Sequence, residues 1–82
     1  MTGGKIVVYG TKWCVDCQRT QRFFNDHRIE FEFINIDADK NGESFVLKTN
    51  RGMRSVPTIV FSDGTILVEP SNVVLAKKLQ IA

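Results

Sequence analysis

Apolar and polar positions alternate in blocks that predict seven short elements. Ile6-Val7-Val8-Tyr9 is an uninterrupted, largely β-branched run. It predicts a strand over Lys5–Tyr9 that is buried on both faces. Gly10-Thr11-Lys12-Trp13 reads as a turn, and Gln18–Arg28 as a mostly polar helix with a narrow apolar stripe of Cys17, Thr20 and Phe24, Phe23 beside it. Ile29–Ile36 predicts a second strand, in which Phe31 and Phe33 alternate with Glu30 and Glu32. Asp37–Gly42 is loop and helix start, its acids cap and solvent residues, ahead of a short helix, Glu43–Thr49, with Phe45, Val46 and Leu47 inward and Asn50-Arg51-Gly52 ending it. Ile59–Phe61 and Ile66–Val68 are strands joined through Ser62-Asp63-Gly64-Thr65, where Asp-Gly suits a two-residue type I′ turn. Pro70 stops the last strand, and Ser71 caps a final helix, Asn72–Leu79, that buries Leu75 and Leu79. Lys77 and Lys78 complement its C-terminal dipole. The order is β-α-β-α-β-β-α, an α/β arrangement. The first two strands are expected to be parallel through a right-handed crossover, and the last two to form an antiparallel hairpin.

Chemistry concentrates in Trp13-Cys14-Val15-Asp16-Cys17, which carries both cysteines of the chain. The stretch lies where the first strand feeds the first helix. A helix start leaves backbone N–H groups unpaired and electropositive. A thiol placed there deprotonates more easily, and the thiolate is the nucleophile. Cys14 is expected at the exposed tip, with Cys17 one turn deeper on the same face. Cys14 can then attack a disulfide and Cys17 release the product. Half a zinc site and an inert disulfide are the competing readings. Zinc wants four ligands; no second C-x-x-C exists, and the lone histidine, His27, lies more than two turns beyond Cys17. Lys12 is either a solvated lysine or a charge that favours the thiolate and attracts an acidic substrate. Trp13 either covers the sulfur or belongs to the core. The Asp16 carboxylate suits the helix dipole and opposes a nearby thiolate. Arg19 and Arg22 are solvated or guide an anionic substrate. His27 satisfies carbonyls at the helix end rather than acting in catalysis. The acids of Asp37–Gly42 lack the spacing of a calcium loop.

With 82 residues, 43% of them apolar, the chain supports one small core and one domain, 1–82. A secreted domain of this size would usually carry several disulfides, whereas this chain has at most one. Met1-Thr2-Gly3-Gly4-Lys5 lacks the build of a signal peptide, and no apolar stretch reaches transmembrane length. A cytoplasmic protein without a membrane partner is expected. The net charge is only +2 with signs interspersed, so no nucleic-acid partner is expected either.

Three segments together carry a resemblance: Thr11-Lys12-Trp13-Cys14-Val15-Asp16-Cys17, Arg54-Ser55-Val56-Pro57-Thr58, and the Asp63-Gly64 hairpin leading to Pro70-Ser71-Asn72. The chain resembles the thioredoxin fold in its smallest, glutaredoxin-like form, and among relatives the mycoredoxin type. The resemblance covers nearly the whole chain. It implies a sheet ordered 2-1-3-4, with the first and third helices on one face and the second on the other. It implies a cis Val56-Pro57 bond beside the cysteines, and a low-molecular-weight thiol, of glutathione or mycothiol type, held with its carboxylate at the start of the last helix. On that basis Cys14 and Cys17 are the catalytic candidates. Lys12, Trp13, Val15, Ser55, Val56, Pro57, Ser71 and Asn72 are the substrate-binding candidates. Val15-Asp16 stands where common glutaredoxins carry Pro-Tyr, which removes an aromatic that contacts glutathione. The expected activity is thiol–disulfide exchange on mixed disulfides or protein disulfides, with no bound cofactor or metal. The expected state is a monomer recycled by a small thiol or a thioredoxin reductase system. A dithiol donor to ribonucleotide reductase is the alternative, and a metal-binding module a more distant one.

Overall fold

The computed structural model describes residues 5–81. The N-terminal segment read above for a leader, Met1–Gly4, lies outside them. The elements are β1 (Ile6–Gly10), α1 (Val15–Asp26), β2 (Phe31–Asn35), α2 (Lys40–Thr49), β3 (Thr58–Val60), β4 (Ile66–Val68) and α3 (Asn72–Leu79). They build one four-stranded sheet ordered β2-β1-β3-β4. β1 is parallel to β2, with Val8 opposite Phe33, and antiparallel to β3, with Val8 opposite Ile59. β3 and β4 are antiparallel, with Ile59 opposite Leu67. This is the thioredoxin-like arrangement expected above.

Strand alternation sets the two faces. Ile6 and Val8 of β1 and Ile59 of β3 join Phe23 and Phe24 of α1, Leu75 of α3 and Phe61 in the main core. The opposite face is covered by α2, whose Phe45 stacks on Tyr9 with ring centroids 4.7 Å apart. Val7 and Tyr9 remain half-buried there, so β1 is less enclosed on the α2 side than its apolar run suggested.

Several boundaries differ from the sequence reading for local reasons. α1 stops at Asp26, because Arg28 adopts a left-handed φ of 57°. Ile29 N–H then reaches Phe24 O at 2.9 Å and Arg28 N–H reaches Asn25 O at 3.1 Å, a Schellman closure. α2 begins at Lys40, within the stretch read as loop and helix start and three residues ahead of Glu43, because Asp39 caps it by accepting from Gly42 N–H at 2.8 Å. The β3–β4 connection is not a type I′ turn. Only Gly64, at φ 89°, takes positive φ in it. Gly64 N–H donates to Phe61 O at 2.9 Å and Phe61 N–H to Thr65 O at 2.8 Å, the pattern of a three-residue loop closed by a glycine bulge. Lys78 of α3 fastens this hairpin, donating to Asp63 Oδ2 at 2.7 Å and Thr65 Oγ1 at 3.0 Å. The Lys78 ammonium, and after it the Thr65 N–H donating to Asp63 Oδ1 at 2.9 Å, hold the Asp63 carboxyl well below the usual carboxylate range. No helix among the described residues is long and apolar enough to cross a membrane.

Candidate active site

The parallel β1–α1–β2 unit brings the end of β1 and the start of α1 to one edge of the sheet. Cys14 is the N-cap of α1, with extended backbone at φ −81° and ψ 116°. Its Sγ accepts from Cys17 N–H at 3.2 Å, in place of the oxygen that usually caps a helix. The Cys14 thiol is half-buried and lies 3.9 Å from Val56 O, to which it donates. Cys17, one turn on, is 0% exposed. Both are free thiols. Burial pushes the Cys17 thiol up to about 12, with the neighbouring Cys14 and the Asp16 charge acting in the same direction and the Thr11 backbone amide against them. The pair therefore splits into a reachable sulfur on the helix cap and a shielded thiol beneath it.

Val56-Pro57 is cis, as the resemblance implied. It precedes β3, so the β1–β3 ladder stops at Thr58, opposite Tyr9. Pro57 is buried, and its carbonyl accepts from Glu69 N–H at 2.8 Å, tying the platform to the end of β4. Ser55 is half-buried, and its carbonyl accepts from Thr58 Oγ1 at 2.8 Å. Arg54 bonds Asp37 and also donates to Glu43 Oε2 at 2.8 Å, so it fastens the loop ahead of Ser55 to the start of α2. Ser71 caps α3 by accepting from Val74 N–H at 3.2 Å.

Two sequence expectations change here. Trp13 is 86% exposed, so it neither joins the core nor covers the sulfur. Its neighbour Val15 is 75% exposed, and Lys12 is exposed as well. Arg19 is not a freely solvated guide for anions. It donates to Asn72 Oδ1 at 2.6 Å and Pro70 O at 2.9 Å, and its Nε lies 3.6 Å from Asp16. Arg19 thus clamps the start of α3 to the second turn of α1, and Asn72 spends its side-chain oxygen on that clamp. The partners lie 51 and 53 residues away in the chain, so no local signal marks this role. Arg22 is exposed. His27 has Nδ1 2.9 Å from Phe23 O and its ring centroid 4.3 Å from that of Phe23, at the other end of α1 from the cysteines. Its cap role holds. Among the described residues no group of three or more His, Cys, Asp or Glu side chains could hold a metal ion.

Comparison with known proteins places this geometry in a family. Residues 6–66 match the sequence profile of the glutaredoxins. A Mycobacterium tuberculosis protein carrying a provisional glutaredoxin name is 35% identical over 83 residues, covering 100% of this chain and 99% of its own. Mycoredoxin 1 of Corynebacterium glutamicum is 32% identical over 65 residues, 79% of this chain and 80% of its own. Among solved structures, a glutaredoxin from Archaeoglobus fulgidus superposes with a TM-score of 0.74 at 25% identity, over 93% of this chain and 86% of that one. A variant of the thioredoxin-like protein BC3987 gives 0.84 at 24% identity, over 98% and 100%, and speaks to the fold alone. The reachable Cys14 on a helix cap, the shielded Cys17 and the adjoining Val56-Pro57 platform belong to a chain of the glutaredoxin family, an enzyme of thiol–disulfide exchange.

Proposed function

We propose that this glutaredoxin reduces mixed disulfides between proteins and a low-molecular-weight thiol, and uses Cys17 when the substrate is a protein disulfide. The observation that carries the reading is the setting of Cys14. Its sulfur is half-buried rather than enclosed, it rests on the N–H of Cys17 at 3.2 Å, and it borders Val56 O at 3.9 Å. A thiolate at Cys14 attacks the substrate disulfide in line, and the leaving sulfur departs as a thiolate. Cys14 is then disulfide-bonded to the other half of the substrate. A second small thiol arriving from solvent attacks the partner sulfur, forms a disulfide with it, and releases Cys14 as the thiolate, which regenerates the enzyme. With a bulky protein adduct, Cys17 is the thiol already held within one helical turn. The N–H groups at the start of α3, behind Ser71 and Asn72, suit the carboxylate of a small thiol, because a helix N-terminus offers unpaired donors.

A second reading, delivery of electrons from the dithiol to a large protein such as ribonucleotide reductase, is favoured by one observation. The side chains that flank Cys14, Trp13 and Val15, are apolar and mostly exposed, and so is Met53, at 64%, in the loop ahead of Ser55. One experiment separates the two readings. NADPH consumption is followed with a mixed-disulfide substrate, supplying in turn glutathione with its reductase, mycothiol with its reductase, or thioredoxin reductase alone. Turnover that requires a small thiol supports the first reading. Turnover with thioredoxin reductase alone, and none with either thiol, replaces it with the second.

A further inference from the structure

The one glycine at the junction of strand and active site, Gly10, is not explained by its backbone. It closes β1 in a regular parallel register opposite Asn35, and it is absent from the residues of positive φ. Glycine in a strand ordinarily weakens it, through lost packing and a larger loss of chain freedom. What Gly10 supplies is space. A Cβ built on its backbone would lie 2.5 Å from Cys17 Sγ, 3.2 Å from Cys17 Cβ and 3.1 Å from Phe33 Cε1. Non-bonded carbon and sulfur atoms do not approach to the first of these distances. Gly10 cannot give way, because it is buried and its carbonyl accepts from Ile36 N–H at 2.9 Å. Cys17, fully buried on the inner face of α1, is held through its helix. Of the two Cys17 atoms in the contact, the sulfur is the one that a side-chain rotation displaces, and it makes the closest approach.

We propose that Gly10 is a positioning residue for Cys17: the missing methyl is the seat of the resolving sulfur. This rests on the thiol–disulfide reading above and adds the residue that sets the geometry of its intramolecular step. In that step the Cys17 thiol gives up its proton and its sulfur attacks Cys14 in the Cys14–substrate disulfide. The Cys14–Cys17 bond forms and the bond from Cys14 to the substrate sulfur breaks. That sulfur leaves as a thiolate and takes up a proton, so the substrate is reduced to a thiol and the pair is oxidised. A disulfide demands a sulfur–sulfur distance near 2.05 Å and a restricted dihedral. A sulfur turned away from Gly10 by a methyl group no longer meets that demand from one turn along the same helix.

The test is a double-mutant cycle of Gly10→Ala and Cys17→Ala. The first readout is the rate of Cys14–Cys17 bond formation, by acid quench and intact mass after mixing the reduced protein with one equivalent of a protein-mimicking disulfide. The second is Tm. Gly10→Ala is expected to slow bond formation at least tenfold and to lower Tm, while adding it to Cys17→Ala, where the residue-17 Cβ and the Phe33 ring remain close, lowers Tm by much less. If Gly10→Ala fails to fold, folding of the double variant supports the proposal, since the double variant lacks the closest of the three contacts, the one with the sulfur, and keeps the other two. Bond formation by Gly10→Ala at the parental rate overturns the proposal, as does an equal Tm loss in both backgrounds, which would make Gly10 a structural residue unconnected with the sulfur. Failure of the parent protein to form the Cys14–Cys17 bond at all is a different result: it overturns the redox reading on which the proposal stands.

Discussion

The backbone N–H of Cys17 points at the sulfur of Cys14, 3.2 Å away, while the sulfur of Cys17 is fully enclosed. One residue therefore serves the other twice. Its main chain holds the nucleophile at the helix cap, and its side chain waits behind it. The first expectation concerns reactivity. With reduced protein and iodoacetamide near pH 7.5, mass mapping should find Cys14 modified and Cys17 untouched. Modification of Cys17 first would reverse the assigned roles.

A second expectation follows for alkaline stability. The Cys17 thiol is pushed from an ordinary 9.0 to about 12, chiefly by burial. Between those values the folded protein keeps a proton that the unfolded chain has lost, so stability falls as pH rises. The contribution is fully present below pH 9 and is lost as pH approaches 12. Denaturant melts from pH 8 to 11 should show this decline in the reduced protein and a shallower one in Cys17→Ala.

Removing either cysteine should divide the activities. Cys14→Ser abolishes turnover of small mixed disulfides and of protein disulfides alike, since no nucleophilic sulfur remains at the cap. Cys17→Ser keeps part of the small-substrate turnover, because a thiol from solution can resolve the intermediate, and loses the protein disulfide reaction. It should also accumulate a covalent adduct on Cys14, whose intact mass reports the bound thiol. Equal loss in both variants would argue for an obligatory dithiol route.

The clamp from Arg19 to Asn72 and Pro70 predicts a binding defect. Two hydrogen bonds hold the start of α3 against α1. Losing them in Arg19→Ala should raise KM for a small mixed disulfide by roughly fivefold to thirtyfold, the upper end corresponding to both bonds at on the order of 1 kcal/mol each. The change in kcat should be smaller, because Arg19 donates to the α3 start and not to Cys14. An unchanged KM would separate the α3 start from substrate binding.

A stability gain is expected at the end of α1. Arg28 holds φ 57°, a conformation that suits glycine and burdens a residue with a Cβ. Arg28→Gly should stabilise the fold by about 0.5–1 kcal/mol, or roughly 2–8 °C in Tm. A lower Tm would mean that the exposed Arg28 side chain contributes more than its backbone conformation costs.

Much of this molecule was legible because its elements carry local marks. Asn72–Leu79 and Ile66–Val68 were read at their observed limits, since Pro70 and Ser71 punctuate the chain between them. The inner stripe of α1 followed from spacing alone. The end of α1 did not, because a left-handed residue there is usually Gly or Asn and here it is Arg28. Nor did the hairpin loop, where Asp-Gly serves two loop lengths equally well. At the site, the adjacent cysteines announced themselves. Arg19 and Gly10 did not, because the meaning of each lies in an atom brought close by the fold: a carbonyl and an amide of the α3 start for one, a sulfur for the other.

The direction of β1 has a practical consequence. The strand enters at Ile6 and delivers Cys14 beyond its far end at Gly10, five residues and roughly 15 Å along. A handle joined ahead of Lys5 therefore emerges at the end of the sheet away from the thiol. Beads loaded with Cys17→Ser through such a handle would present Cys14 outward, leaving the reactive edge open for fishing covalent adducts from a mixture of oxidised proteins.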